Sequence, residues 1–166
     1  MTPGLWRWCL VISAVWLAGC STPSLRPTAS TSAAATFWSG RLVLEIDHSP
    51  PQNLSAQFEL LGSEQQGELL LLSPLGTSLG RLRWQPGLAQ LDRGDQHWQG
   101  ESVQELTEQL TGTAMPLGAL FEWLDGRARS EAGWQVNLEQ LQSLGRLTAE
   151  RQQPEPQARL KLQLDR

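Results

Sequence analysis

From Leu42 onward, long tracts of the chain alternate apolar and polar residues one by one, and no other feature limits the fold so tightly. A period of two sends successive side chains to opposite faces of a strand, so each tract reads as a strand with one wet face. Leu42, Leu44 and Ile46 oppose Arg41, Glu45 and Asp47, and Leu54, Ala56, Phe58 and Leu60 oppose Ser55, Gln57 and Glu59. Late in the chain, Trp134, Val136 and Leu138 oppose Gln135 and Asn137. Leu147 and Ala149 oppose Arg146, Thr148 and Glu150, and Ala158, Leu160, Leu162 and Leu164 oppose Arg159, Lys161, Gln163 and Asp165. Pro- and Gly-bearing turns separate these tracts, at 49–53, 62–66 and 85–87, and a short hairpin is expected around Asp92–Asp95.

One stretch breaks the rhythm. Leu69–Leu72 is a run of leucines, apolar on both faces, which predicts cover on both. Arg81–Trp84 then alternates again, with Leu82 and Trp84 on one face. Between them lies Ser73-Pro74-Leu75-Gly76, a turn in which Pro74 ends the strand and Gly76 permits a positive φ. Leu75 is thereby put at a loop tip. A leucine there is ordinarily tucked under its own loop, or is one of the isolated apolar residues common on any surface.

The period changes in the middle of the chain. Ser102-Val103-Gln104-Glu105 matches a capping box, and Val103, Leu106 and Leu110 repeat at helical spacing up to Gly112. A second helix is predicted from Pro116, with Leu117, Leu120, Phe121 and Leu124 on one face and Gly126 beyond its end. The expectation is a mainly β domain with two short helices, built as an incomplete, open antiparallel β-barrel whose concave apolar face the helices cover. That interior either is filled by its own side chains or leaves an apolar cavity, and leucine content alone does not separate the two.

The first residues have another purpose. Arg7 supplies a positive flank, Trp8–Ala18 is an apolar run too short to span a bilayer comfortably, and Leu17-Ala18-Gly19-Cys20 closes it. An ordinary signal peptide or a membrane helix is the plainer alternative, but small residues before a cysteine suit cleavage. The tetrad resembles the lipobox of bacterial lipoproteins, in which the cysteine is acylated and becomes the new N-terminus. Residues 1–19 are thus expected to be a lipoprotein signal peptide, and residues 20–36 an acylated Cys20 with a flexible Ser/Thr/Pro/Ala tether. Residues 37–166 would form the folded domain. Ser21 stands where lipoproteins kept in the inner membrane often carry Asp, which by that resemblance points to the outer membrane.

Chemistry is sparsely provided for. Beyond Cys9 and Cys20 the chain has no cysteine, which removes disulfides, thiol nucleophiles and Cys-based metal sites from the domain. His48 and His97 are isolated, and Asp95-Gln96-His97 falls in a turn-rich hairpin where solvated polar residues are ordinary. Neither a Gly-x-Ser-x-Gly elbow nor a P-loop is present. The chain is therefore read as no enzyme, with no metal and no cofactor. Without Arg7, twelve basic against seventeen acidic residues leave a formal charge of −5, unsuited to nucleic acid.

The order Leu69–Thr77, Gln85-Pro86-Gly87, Leu106–Gly112, Met115-Pro116-Leu117 and Trp123-Leu124-Asp125-Gly126, joined to the lipobox, resembles the LolB family of outer-membrane lipoprotein receptors. The resemblance implies an incomplete barrel with a helical lid and a cavity for acyl chains. It implies a monomeric protein, lipid-anchored at the periplasmic face of the outer membrane, that accepts lipoproteins from the periplasmic carrier LolA and inserts them there. Leu42, Leu44, Phe58, Leu82, Trp84, Leu120, Leu124, Trp134, Val136 and Leu162 would line the cavity. Pro74, Leu75 and Gly76 fall where the family has an apolar residue on a protruding membrane-insertion loop. The chain departs from the pattern in lacking a leading helix before Phe37 and in leaving no room for a hairpin between Gly126 and Trp134, which predicts a smaller barrel. A passive envelope lipoprotein with a filled core is the other reading.

Overall fold

The computed structural model describes residues 36–165, so Cys20, the signal peptide and the tether lie outside the described residues. The strands are β1 (Thr36–Ile46), β2 (Gln52–Gly62), β3 (Gly67–Leu72), β4 (Ser78–Gln85), β5 (Leu88–Arg93) and β6 (Gln96–Gly100), followed by helices α1 (Val103–Thr111) and α2 (Leu117–Leu124). The chain returns through β7 (Trp134–Asn137), the single turn α3 (Leu141–Leu144), β8 (Arg146–Arg151) and β9 (Ala158–Leu164).

All the strands join one sheet in the order β6-β5-β4-β3-β2-β1-β9-β8-β7, and every pairing is antiparallel. The sheet is a meander cut open at β6 and β7, the open antiparallel architecture expected from the alternation. Register fixes its two ends. The β1–β2, β3–β4, β5–β6 and β8–β9 turns share one end, while the chain enters at Thr36 and leaves after Leu164 at the other.

The alternation in sequence is the alternation in burial. Leu42, Leu44 and Ile46 of β1 and Ala56, Phe58 and Leu60 of β2 all face the core, in register with Leu160 and Leu162 of β9. Arg81 and Glu68 pair at 2.8 Å on the outer face, and Lys161 and Arg159 reach Glu45 there. In β3 only Leu69 and Leu71 are fully buried. Leu70 and Leu72 are half-buried, so the leucine run is covered on one face and not on both. Among the described residues no helix or strand is layered on the outer side of β3 to hide them.

The helices close the concave side. Ser102 Oγ accepts the Glu105 N–H at 3.2 Å, and Gly112 at φ 85° ends α1 by donating to Glu108 O. Pro116 stands just before α2, whose side chains are buried almost throughout. The sequence predicted two helices; α3 is a third, too short for any period to reveal it, stopped by Gly145 at φ 67°.

Helix α1 lies on β4 through a gap left for it. A Cβ on Gly80 would stand 2.4 Å from Leu110 Cδ1. Because that methyl ends a flexible side chain, Gly80→Ala should cost about 1–2 kcal/mol and leave the fold intact. Thermal unfolding reads this, and an unchanged Tm would show that α1 does not sit tight on β4.

Candidate functional site

The residues expected to line a cavity converge on the concave face. Leu42, Leu44, Phe58, Leu82, Trp84, Leu120, Leu124, Trp134 and Leu162 are all buried in one cluster, and Val136 packs against it half-buried. Helix α2 fills the space above them. Phe121 meets Trp38 edge-on at 5.5 Å and Trp84 at 6.1 Å, and Trp123 tilts against Trp134 at 6.5 Å. Such aromatic contacts bury large apolar area with defined geometry. With α2 in this position, its own side chains occupy the concavity.

Polar bonds fix the tryptophan rings of the interior and the segment that follows α2. Trp123 Nε1 donates to Arg129 O at 2.7 Å, and Trp84 Nε1 donates to the carbonyls of Ser63 and Glu64. Arg129 reaches Glu64 at 3.4 Å and Glu131 at 2.8 Å.

Arg151 is a functional candidate that the sequence reading missed. It faces inward, in phase with Leu147 and Ala149, and is 5% exposed. Its guanidinium donates to Thr113 Oγ1 at 2.6 Å and to Pro156 O at 2.9 Å, and it reaches Ala114 O at 3.4 Å. It also lies 5.4 Å over the Trp134 ring. Burial pushes its pKa down, opposed by the charge of Glu108. One side chain thus ties the α1–α2 linker to the β8–β9 turn. The signal that could have found it is parity: an arginine two residues beyond Ala149 must share its face.

The turn after β3 forms the other half of the site. Leu75 is 93% exposed, so it is not tucked beneath its loop. The turn is nonetheless well bonded. Ser73 Oγ accepts the N–H groups of Leu75 and Thr77 at 3.3 and 3.1 Å, Ser73 N–H donates to Thr77 O, and Gly76 N–H donates to Ser73 O. Gly76 takes φ 82°, and Gln57 Nε2 reaches Pro74 O at 3.5 Å. A side chain at the apex of so bonded a turn is presented outward rather than left loose. The turn sits at the same end of the sheet as the β8–β9 turn that Arg151 grips.

Other features carry less. His97 Nδ1 lies 2.7 Å from Asp92 Oδ1, so the acid beside it is Asp92, its cross-strand partner, and not Asp95. The His97 hydrogen bond holds the Asp92 carboxyl below its ordinary value, with burial opposing and Arg83 assisting. The pair is exposed to solvent on the β5–β6 hairpin and adjoins no apolar site. A cleft of about 580 Å³ runs along β7–β8, and Gln135, Asn137, Arg146, Thr148 and Glu150 give it a mostly polar lining. Among the described residues no group of three or more His, Cys, Asp or Glu could hold a metal ion, and no helix is long and apolar enough to cross a membrane.

Comparison with known proteins agrees with this arrangement. The family model described as "Outer membrane lipoprotein LolB" matches residues 38–164. The outer-membrane lipoprotein LolB of Chromobacterium violaceum is 32% identical over 121 residues, covering 70% of this chain and 66% of the relative. Its counterpart in Shewanella baltica is 33% identical over 127 residues, covering 72% of this chain and 58% of the relative. That of Shewanella denitrificans is 28% identical over 125 residues, 72% and 60% of the two chains. The chain thus spans somewhat less than two thirds of the length of these relatives. The matched region takes in every strand and helix from Trp38 to Leu164, the closed apolar interior and the Leu75 turn, and on that ground the chain belongs to the LolB family.

Proposed function

We propose that this protein accepts lipoproteins from the periplasmic carrier LolA and inserts them into the outer membrane, anchored at the periplasmic face by lipid on Cys20 and acting as a monomer. The observation that carries the reading is the combination of a largely apolar concavity, covered by helix α2, with one leucine presented to solvent on a well-bonded turn. Acyl chains would enter between α2 and the sheet, displacing Phe121 and Leu120 and lying along the faces of Leu42, Leu44, Phe58, Leu82, Trp84, Trp134 and Leu162. Each buried CH₂ contributes roughly 0.8 kcal/mol, so part of one chain offsets the contacts α2 gives up. Handover from the carrier then requires only that this domain bind more tightly, and about 1.4 kcal/mol drives the exchange tenfold. Leu75 would enter the headgroup region and open a path for the departing chains.

The filled interior also suits a passive envelope lipoprotein, and the two readings differ in one measurement. The transfer reading expects the protein to strip lipoprotein from a LolA complex and to take up a hydrophobic fluorescent probe that lipoprotein displaces. Phe121→Leu, which loosens the contacts to Trp38 and Trp84 at about 1 kcal/mol of stability, should raise probe uptake. A protein that neither strips the carrier nor binds the probe, with or without that substitution, is a passive one.

A further inference from the structure

Of the exposed large apolar residues other than Leu75, Leu144 stands apart on α3, whereas the remaining two lie together. Phe37 is 57% exposed and Leu61 45% exposed, and they are direct cross-strand partners on the outer face of β1 and β2. Leu61 stands opposite Glu68 of β3, and the next outward residues along β3 are the half-buried Leu70 and Leu72. Beyond Leu72 comes the turn that carries Leu75. Diagonal neighbours on one face of a sheet lie about 7–8 Å apart, so these side chains form a continuous row from the point of chain entry to the protruding leucine.

Resting on the reading that Leu75 enters the membrane, we propose that this row, Phe37–Leu61–Leu70–Leu72, is a lipid-facing strip that lays the outer side of β1–β3 against the bilayer. Three observations select a lipid surface as its occupant. The chain enters the domain at Thr36, beside Phe37, with Cys20 only sixteen residues upstream, so an anchor at Cys20 holds this end of the row near the membrane. The row runs into the Leu75 turn and ends there. Beside it, Arg81 pairs with Glu68 at 2.8 Å and Arg83 with Asp92 at 2.5 Å, which leaves Glu59, exposed opposite Leu70, as the carboxylate beside the row to be kept at headgroup level. The row also follows the strands, the direction along which a curved sheet departs least from a straight line. Leu75 would then enter the bilayer from a domain lying on its side and not from one standing on a single loop.

The test uses the full-length lipoprotein reconstituted in vesicles of zwitterionic phospholipid containing a lipid-borne quencher. The chain has no cysteine after Cys20, so an environment-sensitive fluorophore can be placed singly through Leu61→Cys, Leu75→Cys or, on the far edge strand, Gln135→Cys. The expected result is quenching at positions 61 and 75 and none above background at 135. Strong quenching at 75 with background at 61 overturns the strip and leaves the loop reading standing. Background at both overturns the two together. A fluorophore at 61 that is already shielded before vesicles are added shows the row covered by a second copy or by residues 21–35, and that result also overturns the proposal.

Discussion

Leu75→Glu is expected to fold as the wild type does, to accept lipoprotein from the carrier, and to fail at delivering it to membranes. The first expectation follows from exposure. A side chain 93% exposed at the tip of a turn contributes almost nothing to the core, and the bonds that shape the turn come from Ser73, Thr77 and Gly76. Substitution there should move stability by no more than about 0.5 kcal/mol. Acceptance should persist because the apolar cluster is built from strands β1–β5 and β7–β9 with α1 and α2, and Leu75 is not a member of it. Delivery should suffer because burial of a leucine is worth about 1.5–3 kcal/mol and dehydrating a carboxylate costs more than that gain. A loss of about 3 kcal/mol of favourable insertion corresponds to a fall of roughly a hundredfold. Thermal unfolding and a two-step assay on one variant read all three outcomes, carrier to receptor and receptor to vesicle. A stable variant that inserts lipoprotein normally removes Leu75 from the mechanism, whereas Leu75→Phe should keep both steps.

How much of this was legible beforehand depended on whether a residue's neighbours in space were also its neighbours in period. The strands were readable because alternation is local: Leu42, Leu44 and Ile46 needed nothing but one another to declare a face, and the register with β9 only extended it. Helix α1 announced itself through Ser102 and Glu105, whose bond forms at 3.2 Å. The leucine run misled because β3 was judged by its residues alone, whereas cover depends on what lies outside the sheet. Asp92 was not considered beside His97 because only the adjacent Asp95 was weighed, and set aside, while the hairpin register places Asp92 opposite. Leu75 was ambiguous for a different reason. Exposure at a turn is decided by which way the apex points, and that rests on Ser73 Oγ and on Gly76 at φ 82°, neither of which a hydrophobic pattern contains.

Arg151 went unnoticed because a charged residue at an inward position contradicts the expectation that interiors are apolar, and its removal should be the most costly single change in the domain's polar structure. Arg151→Ala strands the Thr113 hydroxyl and the carbonyls of Ala114 and Pro156, and it uncovers one face of Trp134. The Thr113 hydroxyl is buried and the two carbonyls are part-buried, and at about 1 kcal/mol for a buried acceptor left without a donor, with less where water can reach, the variant should lose about 2 kcal/mol of stability. The loss should also be uneven. Thr113 and Ala114 belong to the linker between α1 and α2, whereas the strands keep their ladders, so amide exchange should accelerate first at residues 113–115 and then in α2. Arg151→Met separates packing from hydrogen bonding, since its thioether side chain can still cover Trp134 but donates nothing. If the hydrogen bonds are what hold the linker, Arg151→Met should resemble Arg151→Ala in linker exchange while recovering part of its stability. An Arg151→Met protein with wild-type exchange at 113–115 would mean that the guanidinium is merely accommodated, and that the cover is held by the apolar contacts of α2 alone.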